Sequence, residues 1–147
     1  MRVMLQRVRN ASVEIDSEII SSIKIGLLLF LGIERGDGDK DIDYLVKKVS
    51  RLRIFEDEKG KLNLSIMDIK GEILIVSQFT LLADCRKGNR PSFDRAERPE
   101  RAKELYERFI QGIKNLGIPA KSGIFGASMK IHLINDGPVT IMIDSAE

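Results

Sequence analysis

The chain has 147 residues, of which 31% are charged and 43% hydrophobic; this composition excludes a disordered protein and fits one soluble globular domain. The net charge of +2 is too small to identify a nucleic-acid binder by itself. Cys85 is the only cysteine and His132 the only histidine, which excludes an intrachain disulfide and any zinc site that needs four Cys or His ligands.

No segment has the composition of a membrane anchor or a secretion signal. The longest apolar run, residues 25–33, is nine residues long, whereas a membrane-spanning helix needs about 20. Arg7 and Arg9 come too early in the chain for the apolar stretch of a signal peptide. We therefore expect a cytoplasmic protein. With Cys85 and His132 as the only soft ligands, we expect no metal, and we also expect no cofactor.

The first half of the chain predicts strands followed by a helix. Alternating hydrophobic residues predict strands over residues 2–9 and 11–16, and an apolar run predicts another over residues 23–33. A helix then begins near Asp39 or Asp41, either of which can accept a backbone N–H as the N-cap. Its buried face is predicted from the helical spacing of Ile42, Leu45, Val46, Val49 and Leu52.

The second half predicts a central strand, a helix and a final pair of strands. Residues 73–82 begin with a continuous apolar run, which indicates a strand covered on both faces. A helix is predicted from Pro99 to about Leu116, and alternating residues around Asn135–Pro138 predict a strand–turn–strand unit. We predict one α+β domain over residues 1–147, with a mostly antiparallel, barrel-like sheet and two main helices.

Polar side chains interrupt the predicted central strand at Ser77, Gln78 and Thr80. Threonine is a good strand former, so packing explains Thr80 equally well. Ser77 and Gln78 are harder to explain in this way, because a buried polar group without a hydrogen bond costs about 1–3 kcal/mol. Several such groups at a strand end indicate a site.

A basic loop is the other candidate contact surface. Residues 86–98 carry five Arg or Lys residues and two acidic ones. Lys87, Arg90 and Phe93 are suited to contact nucleic-acid phosphates and bases, although a solvated loop explains the charges equally well. His132 lies in an alternating segment, and we expect it on an exposed strand face. Without an evident acid–base pair, positioning and backbone hydrogen bonds must supply much of any catalysis.

Taken together, several segments resemble the D-aminoacyl-tRNA deacylases in order and spacing. They are Leu5–Val8, Ser77–Leu81, Arg90–Phe93, Gly123–Met129 and Asn135–Thr140. Each motif is weak alone, but the ordered set is specific and covers essentially the whole chain. The resemblance implies a cytoplasmic homodimer that hydrolyses the ester between a D-amino acid and the 3′-terminal adenosine of tRNA.

The resemblance also implies a role for Gly137 and Pro138, which the residues alone indicate only as part of a turn. In this family the bond between them is cis, and the loop enters the partner subunit's site. Its carbonyl groups face the substrate's α-amino group and leave no room for an L side chain, so chirality is selected by steric exclusion. Arg7 is expected to brace this loop.

The family further implies that the 2′-hydroxyl of the terminal ribose helps to activate water, which would account for the missing general base. Thr80 as a nucleophile is the alternative, but no residue near it in the sequence could deprotonate it. Backbone N–H groups around Phe79 and Thr80 are the better candidates to stabilise the oxyanion. The expected catalytic residues are Ser77, Gln78, Phe79 and Thr80.

The remaining expected contacts are with the substrate. We expect Phe125 and Met129 beside the terminal adenine or the aminoacyl group, although core packing would also explain both. Lys87 and Arg90 are the expected tRNA-binding residues.

Two alternatives stay open at this point. A non-catalytic module derived from an editing domain would bind RNA ends through the basic loop, but it would need neither Gly137–Pro138 nor an intact Ser77–Thr80 segment. An enzyme of the same fold that removes glycine or another small residue from tRNA would differ only in pocket detail.

Overall fold

The computed structural model describes all 147 residues and contains two α-helices, eight strands and one short 3-10 helix. The helices are α1 (Asp39–Arg51) and α2 (Pro99–Asn115), and the 3-10 helix covers Phe79–Leu82. The strands are β1 (Arg2–Ile15), β2 (Glu18–Ile23), β3 (Gly26–Gly32), β4 (Phe55–Glu56), β5 (Leu62–Leu64), β6 (Glu72–Ser77), β7 (Ala120–Ser122) and β8 (Lys130–Asp144).

β1 is the strand around which the main sheet is organised. It pairs antiparallel with β8 along one edge. On its other edge the first half pairs with β3 and the second half with β2, both antiparallel. β6 and β7 continue the sheet from β3 in parallel pairings. The predicted α+β fold with a mostly antiparallel sheet and two main helices is confirmed.

The sheet curls until its outer strands approach each other, which gives the predicted barrel-like shape. Lys121 Nζ on β7 donates to the carbonyl of Ser22 on β2 at 2.7 Å. The amide of Lys24 donates to the Glu72 carboxylate at 2.8 Å. The curl encloses a small core made of Val8, Ala11, Val13, Ile23, Leu28, Leu74 and Val76.

The two helices cover the opposite face of the sheet and enclose a larger core of 22 buried residues. The predicted face of α1 is buried except for Leu52, which is half-buried. The N-cap of α1 is Gly38, not Asp39 or Asp41. The Asp41 carboxylate instead accepts the Gly38 amide N–H at 2.9 Å from inside the first turn. Neither helix is both long and apolar enough to cross a membrane.

The strand boundaries differ from the sequence prediction in several places. The strand predicted over residues 23–33 is observed as the shorter β3, Gly26–Gly32. β1 is continuous, because β8 pairs along its whole length while its register shifts between Val8 and Ala11. β6 ends at Ser77, since the chain then turns into the 3-10 helix, which buries Leu82 and leaves Phe79 exposed. The apolar run of β6 is nevertheless central, between β3 and β7, as predicted.

β8 is one strand with a bulge, not a strand–turn–strand unit. Asn135 pairs with Val8, and Thr140 pairs with Gln6. Between these two pairs β1 has one residue, whereas β8 has four. The four residues Asp136–Val139 therefore bulge out of the ladder. A turn-like composition is compatible with a strand here because β1 holds the chain on both sides of the bulge.

Candidate active site

A pocket of about 460 Å³ opens at the carboxyl end of β6. One wall is Ser77, Gln78 and Phe79, directly after the buried run of β6. Phe125 and Met129 form a second wall. Nine of the fourteen lining residues are hydrophobic, so the pocket suits a group with an apolar surface and few polar anchors.

The chain changes direction at Gln78, and this change exposes backbone donors. The Gln78 amide makes the last strand-like bond, to the Leu31 carbonyl at 2.8 Å. The 3-10 helix begins at Phe79, so the amides of Phe79 and Thr80 lie in a first turn, where N–H groups have no partner within the helix. Neither amide donates a hydrogen bond to a turn, loop or side-chain acceptor.

Thr80 lies beside the pocket but does not line it. Its side chain is exposed, and its Oγ1 accepts a hydrogen bond from Gln78 Nε2. No carboxylate or histidine is bonded to this hydroxyl. The geometry therefore supplies Thr80 with a hydrogen-bond donor and not with a base.

Aromatic contacts hold the first two walls of the pocket in place. Phe79 is 55% exposed and packs edge-to-face on Phe93, with ring centroids 5.0 Å apart. Phe125 packs on Tyr106 of α2 with centroids 5.8 Å apart. The buried Tyr106 hydroxyl donates to the Ile75 carbonyl at 2.7 Å, and burial raises the pKa of Tyr106 to about 12.

The third wall of the pocket was not predicted from the sequence. It comes from the segment that leads into α2 and includes Ala96, Glu97, Pro99 and Ala102. In the sequence these residues indicate only the start of a helix, so nothing there predicts that they line a pocket. Glu97 is the single ionisable residue of the lining, and its carboxylate accepts a hydrogen bond from the Arg98 amide N–H at 2.7 Å.

His132 lies outside the pocket. Its side chain is 56% exposed, and its Nε2 is 3.6 Å from the Glu14 carboxylate. The expected exposed strand histidine is confirmed. No group of three or more His, Cys, Asp or Glu side chains lies close enough together to hold a metal ion.

Gly137 and Pro138 lie in the β8 bulge, and the peptide bond between them is cis. Arg7 is buried beneath this bulge. Its Nε donates to the Asp136 carbonyl at 3.0 Å, and its Nη1 donates to the Ile54 carbonyl at 2.8 Å. Arg7 therefore contacts the loop that it was expected to brace.

Within one chain the bulge is far from the pocket. Arg7, under the bulge, pairs with Leu27 of β3, whereas Ser77, in the pocket, pairs with Leu31. These positions are four residues apart on β3, which is about 13 Å at 3.3 Å per residue. Neither Gly137 nor Pro138 lines the pocket of its own chain.

The basic loop is closed by a pair of backbone hydrogen bonds between Asp84 and Ser92, at 2.8 and 2.9 Å. Arg86 bonds the Asp84 carboxylate and holds the pKa of that carboxyl well below its usual range. Lys87 and Arg90 are exposed, and neither has a carboxylate within 4.0 Å. These two cations are therefore free to meet an anionic partner.

A family model described as D-Tyr-tRNA(Tyr) deacylase matches residues 4–144. The chain belongs to this family. It is 56% identical, over 100% of its length and 99% of the relative's, to a D-aminoacyl-tRNA deacylase of Aquifex aeolicus (strain VF5). It is 57% identical to one of Clostridium tetani (strain Massachusetts / E88), over 99% of this chain and 97% of that one. The expected family, and an enzyme of that family, are confirmed.

Two solved structures share the fold of this chain. A structure described as c-Myc DNA Unwinding Element Binding Protein superposes with a TM-score of 0.92 at 42% identity, over 98% of each chain. A second, described as a probable eukaryotic D-amino acid tRNA deacylase, superposes with a TM-score of 0.79 over 97% of each chain. At 18% identity the second shows the common fold alone.

The buried Tyr106 hydroxyl predicts a pH dependence of stability. Its folded-state pKa of about 12 lies above the ordinary value of 10, so its contribution is complete below pH 10 and is lost as the pH rises through 12. Tyr106→Phe should therefore remove a tyrosinate absorbance step near pH 12, which Tyr44→Phe should retain. Urea unfolding should show the wild type losing its advantage over Tyr106→Phe across the same range. A Tyr106 step at the ordinary pKa would contradict the burial argument.

Proposed function

We propose that this protein hydrolyses the ester that links a D-amino acid to the 3′-terminal adenosine of tRNA. The match of residues 4–144 to the deacylase family is the observation that carries this proposal. The pocket at the end of β6 supports it, because its apolar walls and unused backbone donors suit an aminoacyl ester. Water attacks the carbonyl carbon, the bond to the ribose 3′-oxygen breaks, and the products are a free D-amino acid and tRNA.

The amides of Phe79 and Thr80 are proposed to stabilise the tetrahedral intermediate. Preorganised backbone donors gain strength in a site that excludes water, and the loss of one such donor costs about 10²–10³-fold in rate. Ser77 and Gln78 set their direction, since Gln78 ends the strand by bonding the Leu31 carbonyl. Phe125 and Met129 are proposed to hold the adenine or the aminoacyl group.

The proton that water loses is proposed to pass to the 2′-hydroxyl of the substrate, and from there toward the departing 3′-oxygen. Glu97 is the single ionisable residue of the pocket, but its carboxylate is already bonded to the Arg98 amide, and His132 lies outside the pocket. The substrate thus supplies the acid–base group, and the protein supplies position and oxyanion stabilisation.

Selection of the D enantiomer is proposed to come from a second copy of the chain. Because the residue under the bulge, Arg7, pairs with β3 about 13 Å from the position that Ser77 pairs with, Gly137 and Pro138 are proposed to act on another subunit's pocket. In a homodimer the bulge, braced by Arg7, would place its carbonyl groups over the α-amino group. An L side chain would then collide with the loop, while the D enantiomer and glycine, which has no side chain, would fit.

Lys87 and Arg90 are proposed to bind tRNA phosphates near the 3′ end, since both are exposed and free of carboxylate partners. Such a substrate places the enzyme in the cytoplasm.

The first test compares D-tyrosyl-tRNA with L-tyrosyl-tRNA as substrates. We expect turnover of the D enantiomer and rejection of the L enantiomer, and we expect glycyl-tRNA to be cleaved, because exclusion depends on the side chain. Release of amino acid from labelled aminoacyl-tRNA measures all three rates. Tight tRNA binding without any hydrolysis would instead support the non-catalytic RNA-end binder.

Substitution of Thr80 separates a backbone role from a side-chain role. Thr80→Ala retains the amide N–H, so we expect less than about a tenfold loss in kcat, whereas loss of a nucleophile costs several orders of magnitude. Single-turnover hydrolysis of D-tyrosyl-tRNA is the measurement. Complete inactivity of Thr80→Ala, with normal tRNA binding and an unchanged circular dichroism spectrum, would return the nucleophile role to Thr80.

A 2′-deoxy terminal adenosine tests the substrate-assisted step. We expect hydrolysis to slow by about 10²–10⁴-fold, the range of general acid–base assistance, while His132→Ala leaves the rate on the natural substrate unchanged. Both rates are measured under single-turnover conditions. Normal cleavage of the deoxy substrate together with an inactive His132→Ala variant would make His132 the base.

A further inference from the structure

A basic depression lies on the last two turns of α1 and the segment that follows. It has a volume of about 470 Å³ and is lined by Tyr44, Lys47, Lys48, Arg51, Leu52 and Arg53. We call these residues the α1 patch. All four cationic side chains are exposed, and Lys48 Nζ lies 5.5 Å from the centre of the Tyr44 ring. The patch is separate from the pocket at the end of β6 and from the basic loop.

The cations of the α1 patch form no ion pairs within the protein, and only Arg53 lies close enough to a carboxylate, that of Asp68, to help lower its pKa. None of the four cations has a carboxylate within 4.0 Å, whereas many of the basic residues of α2 and of the basic loop are paired. Arg53 bonds only the neutral Asn63, through its carbonyl and side-chain oxygens. Because the whole chain has a net charge of only +2, four free cations in one depression form a marked local excess.

The helix dipole accounts for only part of this excess. Positive charge is favourable within the last turn of a helix, and Lys48 and Arg51 lie in that turn of α1. Lys47 precedes the turn, and Arg53 lies beyond the end of the helix. A cluster that extends beyond the last turn in both directions fits a ligand with several negative charges better than it fits one helix terminus.

The α1 patch is physically linked to the β8 bulge. Arg53 is followed directly by Ile54, whose carbonyl accepts a hydrogen bond from Arg7 at 2.8 Å. The same guanidinium donates to the Asp136 carbonyl at 3.0 Å. The patch and Gly137–Pro138 are thus held at fixed distance by one buried side chain, at the end of β3 away from the subunit's own pocket.

We propose that the α1 patch binds phosphates of the tRNA acceptor stem whose 3′ end occupies the partner subunit's pocket. This inference rests on the proposed function, because a bulge that enters the partner's pocket brings the α1 patch of the same chain beside that pocket's mouth. A duplex stem carries regularly spaced phosphates outward from the aminoacylated end. Four unpaired cations beside its path provide complementary charge, and Arg51 and Arg53 can bond phosphate oxygens in a bidentate manner.

The test compares two variants with the same loss of charge. Lys47→Ala/Arg51→Ala removes two patch cations, and the control Lys103→Ala/Lys114→Ala removes two exposed cations from α2, including one in its last turn. Each variant is assayed on D-tyrosyl-tRNA over a range of salt concentrations. Each is also assayed on 3′-O-D-tyrosyl-adenosine, which has the scissile ester but no phosphates.

We expect the patch variant to raise KM for D-tyrosyl-tRNA at least about tenfold at physiological salt, with kcat unchanged. The slope of log(kcat/KM) against log salt should fall by about 1.8, since each duplex phosphate contact contributes about 0.9. Both variants should match the wild type on the adenosine ester. Equal KM values and salt slopes for the patch variant and the control would overturn this inference, whereas a wild type inactive on both substrates would overturn the proposed function.

A mixed dimer tests which pocket the patch serves. One subunit carries Lys47→Ala/Arg51→Ala with an open pocket, and the other carries Ala127→Trp, which fills the pocket, with an intact patch. We expect a wild-type KM for D-tyrosyl-tRNA, because the open pocket lies beside the intact patch of the partner. The reciprocal dimer, with all three changes in one subunit, should show the raised KM. The opposite pattern would assign the patch to its own subunit's pocket and overturn the inference.

Discussion

The buried guanidinium of Arg7 is the interaction on which the arrangement of the molecule depends. It lies on the organising strand β1 and bonds the carbonyl of Ile54, after α1, and that of Asp136, in the β8 bulge. A guanidinium stays charged in a protein, and burying it without acceptors would cost several kcal/mol. The need to satisfy this charge therefore fixes the bulge against the sheet before any substrate or partner arrives.

This arrangement separates two tasks that an editing enzyme must perform. The end of β6 offers unused amides and an apolar pocket, which suits the chemistry of an ester. The bulge, about 13 Å away along β3, offers a rigid backbone loop, which suits the exclusion of a side chain. A loop fixed by a buried charge would be an effective steric filter in the proposed reaction, because it could not yield to the wrong enantiomer. Under that proposal the two tasks meet between two copies of the chain.

Sequence patterns predicted those parts of the fold that are determined within one element. The apolar spacing of α1, Pro99 at the start of α2 and the apolar run of β6 were sufficient for those elements. The same patterns gave wrong predictions where pairing across the sheet determines the local structure. Asn135–Pro138 has the composition of a turn, but β1 pairs on both sides of it and makes β8 one strand. Residues 78–82 have strand propensity, but burial of Leu82 favours a 3-10 helix.

The residues of the candidate site also fall into those that the sequence predicts and those that it does not. Ser77 and Gln78 were predicted because polar groups at the end of a buried strand are conspicuous in the sequence, and both line the pocket. Ala96 and Ala102 were missed, because small residues near a helix start are explained by packing and carry no chemical signal. Their contribution to the pocket comes from how α2 docks on the sheet.

Electrostatics constrain how such a small enzyme can capture a large polyanion. With a net charge of +2, the protein has almost no long-range field, and at physiological salt the screening length is about 8 Å. Attraction to tRNA must therefore arise where free cations come close to phosphates, and the cations proposed for this are Lys87 and Arg90 on the basic loop and the four on the α1 patch. Capture by separate local patches favours only those orientations of the tRNA in which its phosphates reach them. In the proposed dimer, an orientation that satisfies a patch on each subunit would also direct the 3′ end into the pocket where the partner's loop is proposed to test chirality.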